Sequence, residues 1–181
     1  MMSQIISLGL AEESNIANAD GDGAMQFIPE LSFAGDHLYV ATPNGVFRTI
    51  YGDADASSKW ERLPLTDGLV LDIEVRGDTV IALTRNQLIY SLDGGRTAKS
   101  ISTLEILGED NKFTLEDMAV HPYNANQILV ISGAGHLMRT HDCGSKWEEI
   151  DKETPCGLTH LFYNPSNADQ LIGVSNNEIL D

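Results

Sequence analysis

The sequence predicts an all-β protein, β-propeller-like, built from about four four-stranded antiparallel blades. Three observations carry that prediction. The first is self-similarity: Gly35 to Thr49 (G-D-H-L-Y-V-A-T-P-N-G-V-F-R-T) superposes without gaps on Gly77 to Ser91 (G-D-T-V-I-A-L-T-R-N-Q-L-I-Y-S), 42 residues on. A third copy, Asn126 to Thr140, lies 49 residues further along, and a fourth starts at Asp169. H-P-Y-N-A-N (His121 to Asn126) returns 43 residues later as N-P-S-N-A-D (Asn164 to Asp169). A period of roughly 40–50 residues holding several strands is the signature of propeller blades. The second is the pattern inside each repeat, short apolar runs between turn residues with little 3.6-residue periodicity, so very little helix is expected. The third is a recurring turn, T-H-D-C-G-S-K-W at Thr140 to Trp147.

That turn has a close copy at Ser91 to Ala98 (S-L-D-G-G-R-T-A) and a degraded one at Asp53 to Trp60 (D-A-D-A-S-S-K-W). Its composition has a mechanism. The Asp (Asp55, Asp93 or Asp142) accepts hydrogen bonds from amides further along, Gly95 or Gly144 supplies a positive φ, and Trp60 or Trp147 plugs the turn onto the body. His141 and Cys143 fall at variable positions of the motif, where the second copy has Leu92 and Gly94. This makes the stretch a structural staple.

Taken in order, the blades are expected over roughly 27–65, 69–103, 115–151 and 158–181 of one domain spanning 1–181. In the second, Leu71 to Val75, Thr79 to Thr84, Gln87 to Ser91 and a strand from Lys99 to Ser102 are the four strands. In the third they are Asp117 to His121, Gln127 to Ser132, His136 to Thr140 and Trp147 to Ile150. Glu105 to Lys112 reads as an insertion or short turn. Ahead of the repeats, residues 1–10 hold a short apolar run, and Gln4 to Leu8 is a candidate strand for closing the incomplete fourth blade. Asn18, Asp20, Asp22 and Gly23 resemble half of a calcium loop, but Pro29 stands where a bidentate Glu belongs, so a solvated loop is expected instead of a metal site.

The composition narrows the partners. In 181 residues, 27 are acidic and 11 basic, a net charge of −16 that opposes binding to nucleic-acid phosphates or an anionic membrane surface. No apolar run reaches the roughly 18 residues that cross a bilayer, and the first residues lack the pattern of a secretion signal, which favours a cytoplasmic location. Cys143 and Cys156 form no metal motif and are expected as free thiols, with a small closed loop as the alternative in an oxidising compartment.

The phrase D-M-A-V-H-P-Y-N-A-N-Q-I-L-V followed by L-M-R-T-H-D-C-G-S-K-W, Asp117 to Trp147, resembles one repeat of the Asp-box or BNR-repeat propellers, relatives of WD40/YVTN-like repeat proteins in architecture. That group includes sialidases, xyloglucan-degrading glycoside hydrolases, sortilin-type receptor domains and photosystem II assembly factors. The resemblance runs from about Phe27 onward and implies fold more than activity, because the box sits on the blade periphery. Ala98 in place of Trp and Ser57 in place of Gly depart from the family pattern. Members generally close with six or more blades, so four blades raise three alternatives: self-closure through Gln4 to Leu8, association of two chains in one ring, or a longer parent chain.

A sialidase site needs three arginines around the mouth. Arg48 and Arg139 instead occupy one repeat position, taken by Tyr90 in the second blade, which points to a structural role on the third strand. A glycoside hydrolase needs two carboxylates across a cleft, one of them an acid with a raised pKa. Asp72, Glu74, Glu116 and Asp117, on or beside inner strands, are the catalytic candidates, against an ordinary role as strand-end carboxylates. His37, His121, His136, His141 and His160 lie scattered without ligand spacing, so no metal and no cofactor are expected. The reading that follows is a non-catalytic binding or assembly module whose partner is a protein or a carbohydrate. The alternative is a glycan-active hydrolase module complete only in a larger assembly.

Overall fold

The computed structural model describes residues 30–51, 59–66, 68–109, 112–150, 158–175 and 179–180. They fold into four antiparallel sheets that follow one another along the chain. The first contains β1 (Glu30–Ala34), β2 (His37–Thr42), β3 (Gly45–Ile50) and β4 (Glu61–Arg62). The second contains β5 (Asp72–Arg76), β6 (Thr79–Leu83), β7 (Gln87–Ser91) and β8 (Lys99–Ser102), followed by α1 (Thr103–Leu107). The third contains β9 (Leu115–Val120), β10 (Ile128–Ser132), β11 (Leu137–Thr140) and β12 (Glu148–Glu149). The fourth has three strands among the described residues, β13 (Leu158–Asn164), β14 (Asn167–Ser175) and β15 (Ile179–Leu180). Each sheet is an up-and-down meander, and the first strands pack on one another, β1 on β5, β5 on β9 and β9 on β13. Among the described residues this is a propeller arc of four blades, three with four strands and one with three.

The second strand of each central blade lies between two neighbours, and its sequence shows it. T-V-I-A-L of β6 and I-L-V-I-S of β10 are almost wholly apolar because both of their faces are covered, whereas β5 alternates buried Ile73 and Val75 with half-buried Asp72, Glu74 and Arg76. The resulting cores lie between blades. Tyr39, Ala41 and Val46 meet Ile73, Val75, Val80 and Ala82 between the first and second blades. Ile81, Leu83, Leu88 and Ile101 meet Met118, Val120, Ile128 and Val130 between the second and third. Ala119, Leu129 and Ile131 meet Leu158 and Leu161 between the third and fourth. Among the described residues no such cluster joins the fourth blade to the first.

These faces correct one step of the repeat alignment. An offset of 49 puts Val130 on Ile81, yet Val130 faces the preceding blade and Ile81 the following one. Pairing resolves the conflict: Val80 lies opposite Ser91 in its hairpin, and Ile128 lies opposite Thr140. The offset is therefore 48 on β10 and 49 on β11. The β10–β11 connection absorbs the extra residue, and one residue in a strand exchanges its two faces.

The two central turns share one set of hydrogen bonds. The Ser91 hydroxyl accepts from the amides of Asp93 (3.3 Å) and Gly95 (2.9 Å) and donates to Asp93 Oδ1 (2.7 Å), which also accepts from the Thr97 amide (2.9 Å). The Thr140 hydroxyl likewise accepts from Asp142 (3.2 Å) and Gly144 (2.9 Å) and donates to Asp142 Oδ1 (2.9 Å), which accepts from the Lys146 amide (2.9 Å). Gly95 and Gly144 have φ of 89° and 84°, and a Cβ on either would overlap a side chain of the preceding blade region, Leu63 for Gly95 and Ile101 for Gly144. Trp147 packs, partly buried, against the core between the second and third blades, while Ala98 is exposed. Trp60 is partly buried, but Asp55 lies outside the described residues.

Arg48 and Arg139 sit opposite Glu61 and Glu148 of the outer strands and pair with them at 2.8 and 2.6 Å. In the second blade Tyr90 lies opposite Lys99, whose Nζ stands 6.0 Å above the ring centroid. The shared position thus holds a third-to-fourth-strand pair in each of the first three blades. The expected insertion opens as α1, two residues earlier than Glu105, because Ser102 caps it: the Ser102 hydroxyl accepts from the Glu105 amide and the Glu105 carboxylate accepts from the Ser102 amide. The candidate strand Gln4 to Leu8, the loop of Asn18, Asp20 and Asp22, and Cys156 lie outside the described residues.

Candidate functional site

Where the inner strands begin, strand pairing sets one residue per blade at a common level. Glu30 lies opposite Ala41, Asp72 opposite Leu83, Asp117 opposite Ile131 and His160 opposite Val174. Ala41, Leu83 and Ile131 are the second-strand residues that face the next blade, so the four inner-strand residues are structural equivalents. They also converge electrostatically. Burial pushes the Asp72 carboxyl up to about 8, and the charges of Asp117, Glu74 and Glu30 add to the rise against a hydrogen bond from the Ile73 amide. Burial raises Asp117 to about 6, with Glu30 adding to the rise, while the Leu161 amide, His160 and the Met118 amide oppose it. At neutral pH Asp72 therefore holds its proton and Asp117 is mostly ionised.

The four carboxylates singled out in the sequence fare differently. Asp117 Oδ2 accepts from the Leu161 amide at 2.6 Å, which ties the third blade's inner strand to the fourth. Ser32 does the same work between the first and second blades, its hydroxyl accepting from the Val75 amide at 3.0 Å. Glu74 pairs with Arg76 at 2.7 Å. Glu116 accepts from the Thr114 hydroxyl at 3.0 Å and stands 3.5 Å from Arg85. Asp72 lines the same end of the arc between these groups.

Around this end the loops add an aromatic ring and an imidazole. The β10–β11 hairpin comes back to it through the Gly133 amide, which donates to the Thr114 carbonyl at 2.9 Å. Phe113, half exposed, lies against His136 with centroids 6.2 Å apart, and His136 Nδ1 is 2.9 Å from Glu149. Of the other histidines, His37 contacts Asp36 and His141 stands 3.5 Å from Glu148, while His121 meets the Tyr163 ring edge-on at 5.2 Å. Among the described residues no three of His, Cys, Asp and Glu are grouped to hold a metal ion. Cys143 is a free thiol 2.9 Å from Asn126 Oδ1.

Glu30 and His160 were not among the carboxylates and ligands singled out from the sequence, yet the repeat offsets contain both. Extending the 42-residue offset back from Gly35 puts Glu30 on Asp72, and the 43-residue offset puts Asp117 on His160.

No protein-family model matches the chain, and no curated protein sequence does either. Solved structures do match, and they are β-propellers. A structure of YCF48 bound to D1 peptide aligns with a TM-score of 0.59 at 19% identity over 81% of this chain and 48% of that one, so the chain spans about half the length of YCF48. The GH74 xyloglucanase from Xanthomonas campestris aligns with a TM-score of 0.60 at 14% identity, over 80% of this chain and 25% of that one. The computationally designed Ika4 protein aligns with a TM-score of 0.61 at 11% identity over 99% and 98% of the two chains. At these identities the likeness is one of fold: the chain is a propeller-type repeat protein.

Proposed function

We propose that the protein is a non-catalytic binding or assembly module of Asp-box propeller repeats, and that it engages a protein segment at the end of the arc where the inner strands begin. The observation that carries this reading is the commitment of the carboxylates there: Asp117 to the Leu161 amide, Glu74 to Arg76 and Glu116 to Thr114 and Arg85. A two-carboxylate hydrolysis needs a second group free to act as base or nucleophile opposite the acid, and of the four candidates Asp72 alone is held, among the described residues, by nothing more than the amide of its neighbour Ile73. The likeness to YCF48, a structure holding a peptide, supports the choice of a protein partner over a carbohydrate. The strong negative charge favours a basic segment.

A second reading, a glycan-active hydrolase module completed in a larger assembly, has one observation in its favour. Asp72 at about 8 beside Asp117 at about 6 gives one protonated and one ionised carboxyl at neutral pH. The two readings separate in one experiment. The protein is titrated by calorimetry with a panel of basic peptides at low and high salt, and in parallel incubated with xyloglucan while reducing ends are measured. The binding reading expects salt-sensitive peptide binding that Asp72→Asn and Asp117→Asn change by less than about tenfold, with no release of reducing ends. Reducing ends released by the wild type and abolished by both substitutions would establish the hydrolase instead.

A further inference from the structure

The two end faces of the arc are the two halves of an interface that the chain already makes three times. In each internal junction the entry face of a blade, formed by alternate residues of its first and second strands, meets the exit face of the blade before it. For the second blade the entry face is Ile73, Val75, Val80 and Ala82, of which the first two are only 3% and 1% exposed. Strand pairing makes Leu31, Phe33, Leu38 and Val40 the same four positions in the first blade: Leu31 opposite Val40 as Ile73 is opposite Ala82, and Phe33 opposite Leu38 as Val75 is opposite Val80. No described blade precedes them. Leu38 and Val40 on the second strand are buried, at 2% and 0%, while Leu31 and Phe33 on the first are 47% and 54% exposed, with Tyr51 edge-on to Phe33 at 5.4 Å.

The exit face tells the same story at the other end. In the third blade it is Ala119, Leu129 and Ile131, all buried against the fourth. The equivalent positions in the fourth are Phe162, Ile172 and Val174, since Phe162 pairs with Ile172 as Ala119 pairs with Leu129. Phe162 is 52% exposed and stacks on His160, the rings 5° from parallel. An entry face and an exit face are complementary by construction, so every copy of this chain carries a partner for both of its own ends. Leu31 and Phe33 at one end and Phe162 at the other are the apolar side chains left about half exposed on these faces, and clustered apolar side chains of this kind mark a contact surface.

We infer that the exit face of the fourth blade, centred on Phe162, docks on the entry face of the first blade of a second copy, centred on Phe33. The contact is head to tail, and two copies satisfy both junctions in one closed ring with twice the blades of one chain. The fit continues the polar stitching seen inside the chain. Asp117 caps the Leu161 amide of the next blade, and His160, at the position of Asp117, is presented to the Leu31 amide of the partner and to its Glu30.

Light scattering coupled to gel filtration on the full chain tests this. The expected mass is twice 19.7 kDa. Phe33→Glu and Phe162→Glu, each at an exposed site, should leave the far-ultraviolet circular dichroism unchanged and weaken association on the order of 100-fold. Phe33→Ser and Phe162→Ser repeat the test should either charge perturb the fold. Because the contact is head to tail, mixing the two glutamate variants leaves one intact junction, Phe162 of one copy against Phe33 of the other, and should restore a dimer. A wild type that is monomeric at every concentration overturns the inference, as does a dimer that neither substitution weakens. A mixture that stays monomeric overturns the head-to-tail arrangement.

Discussion

The turn from Ser91 to Ala98 and the turn from Thr140 to Trp147 share four hydrogen bonds and differ in the side chain at their last position. In the third blade the last residue is a Trp that reaches the core between blades; in the second it is an exposed Ala. The backbone path is nevertheless the same, with a hydroxyl gathering two amides, an Asp gathering a third, and a glycine in left-handed conformation against the preceding blade. The shape of the turn therefore follows from hydroxyl, Asp and Gly, and the Trp contributes packing on top of it. The second turn has its own reinforcement, because the Thr97 hydroxyl donates to Asp93 Oδ2 at 2.7 Å. Asp93 is accordingly held down at about 2, chiefly by the Thr97 amide and hydroxyl, and Asp142 is lowered by the Lys146 amide and the Thr140 hydroxyl.

The sharpest break of this comparison is Trp147→Ala, expected to cost about 3 kcal/mol, the low end for a buried aromatic because the ring is only partly covered. Urea denaturation measures it, and a loss below about 1 kcal/mol would remove the packing role given to this ring. Gly144→Ala comes next, at about 2–3 kcal/mol from left-handed strain and overlap with Ile101. Gly95→Ala should match it closely, since Leu63 stands in the same relation to the second turn. A marked inequality would show that the two glycines are not equivalent.

Acid separates the turns more finely. Both aspartates have folded-state pKa values below their unfolded ones, so their contribution is complete above about pH 5 and is lost as the pH falls below the unfolded value, for Asp93 down to about 2. Asp93→Ala should flatten the urea midpoint between pH 4 and 2 more than Asp142→Ala does, and equal flattening would deny Thr97 its part. Ala98→Trp is the smallest change, within about 0.5 kcal/mol, because the position faces solvent. A clear stabilisation on thermal melting would mean that a pocket for the ring persists there.

Much of the blade pattern was legible because burial leaves it in the residues. The strand from Gln87 to Ser91 and the strand from Lys99 to Ser102 occur over the expected residues, and the other strands of the second and third blades start or stop within two of theirs. The slip on β10 was not legible, since G-A-G-H reads as a hairpin at either length and only the facing of Ile128 and Val130 decides it. Glu116 could not be ranked from sequence because Arg85, from the preceding blade, becomes its neighbour only through blade packing, whereas the Glu74–Arg76 pair, two residues apart on one strand, follows from the strand alternation itself. The level shared by Glu30, Asp72, Asp117 and His160 was written in the offsets. Their mutual influence arises from convergence of four inner strands, which no local pattern records.

The glycine contacts also bear on how the chain is made. Gly95 closes on Leu63 and Gly144 on Ile101, in each case a residue synthesised earlier. A turn of this kind has no surface to close on until the sheet before it exists, and every later turn finds its surface already built. Growth from the N-terminus delivers those surfaces in the right order, with each finished blade serving as the mould for the next.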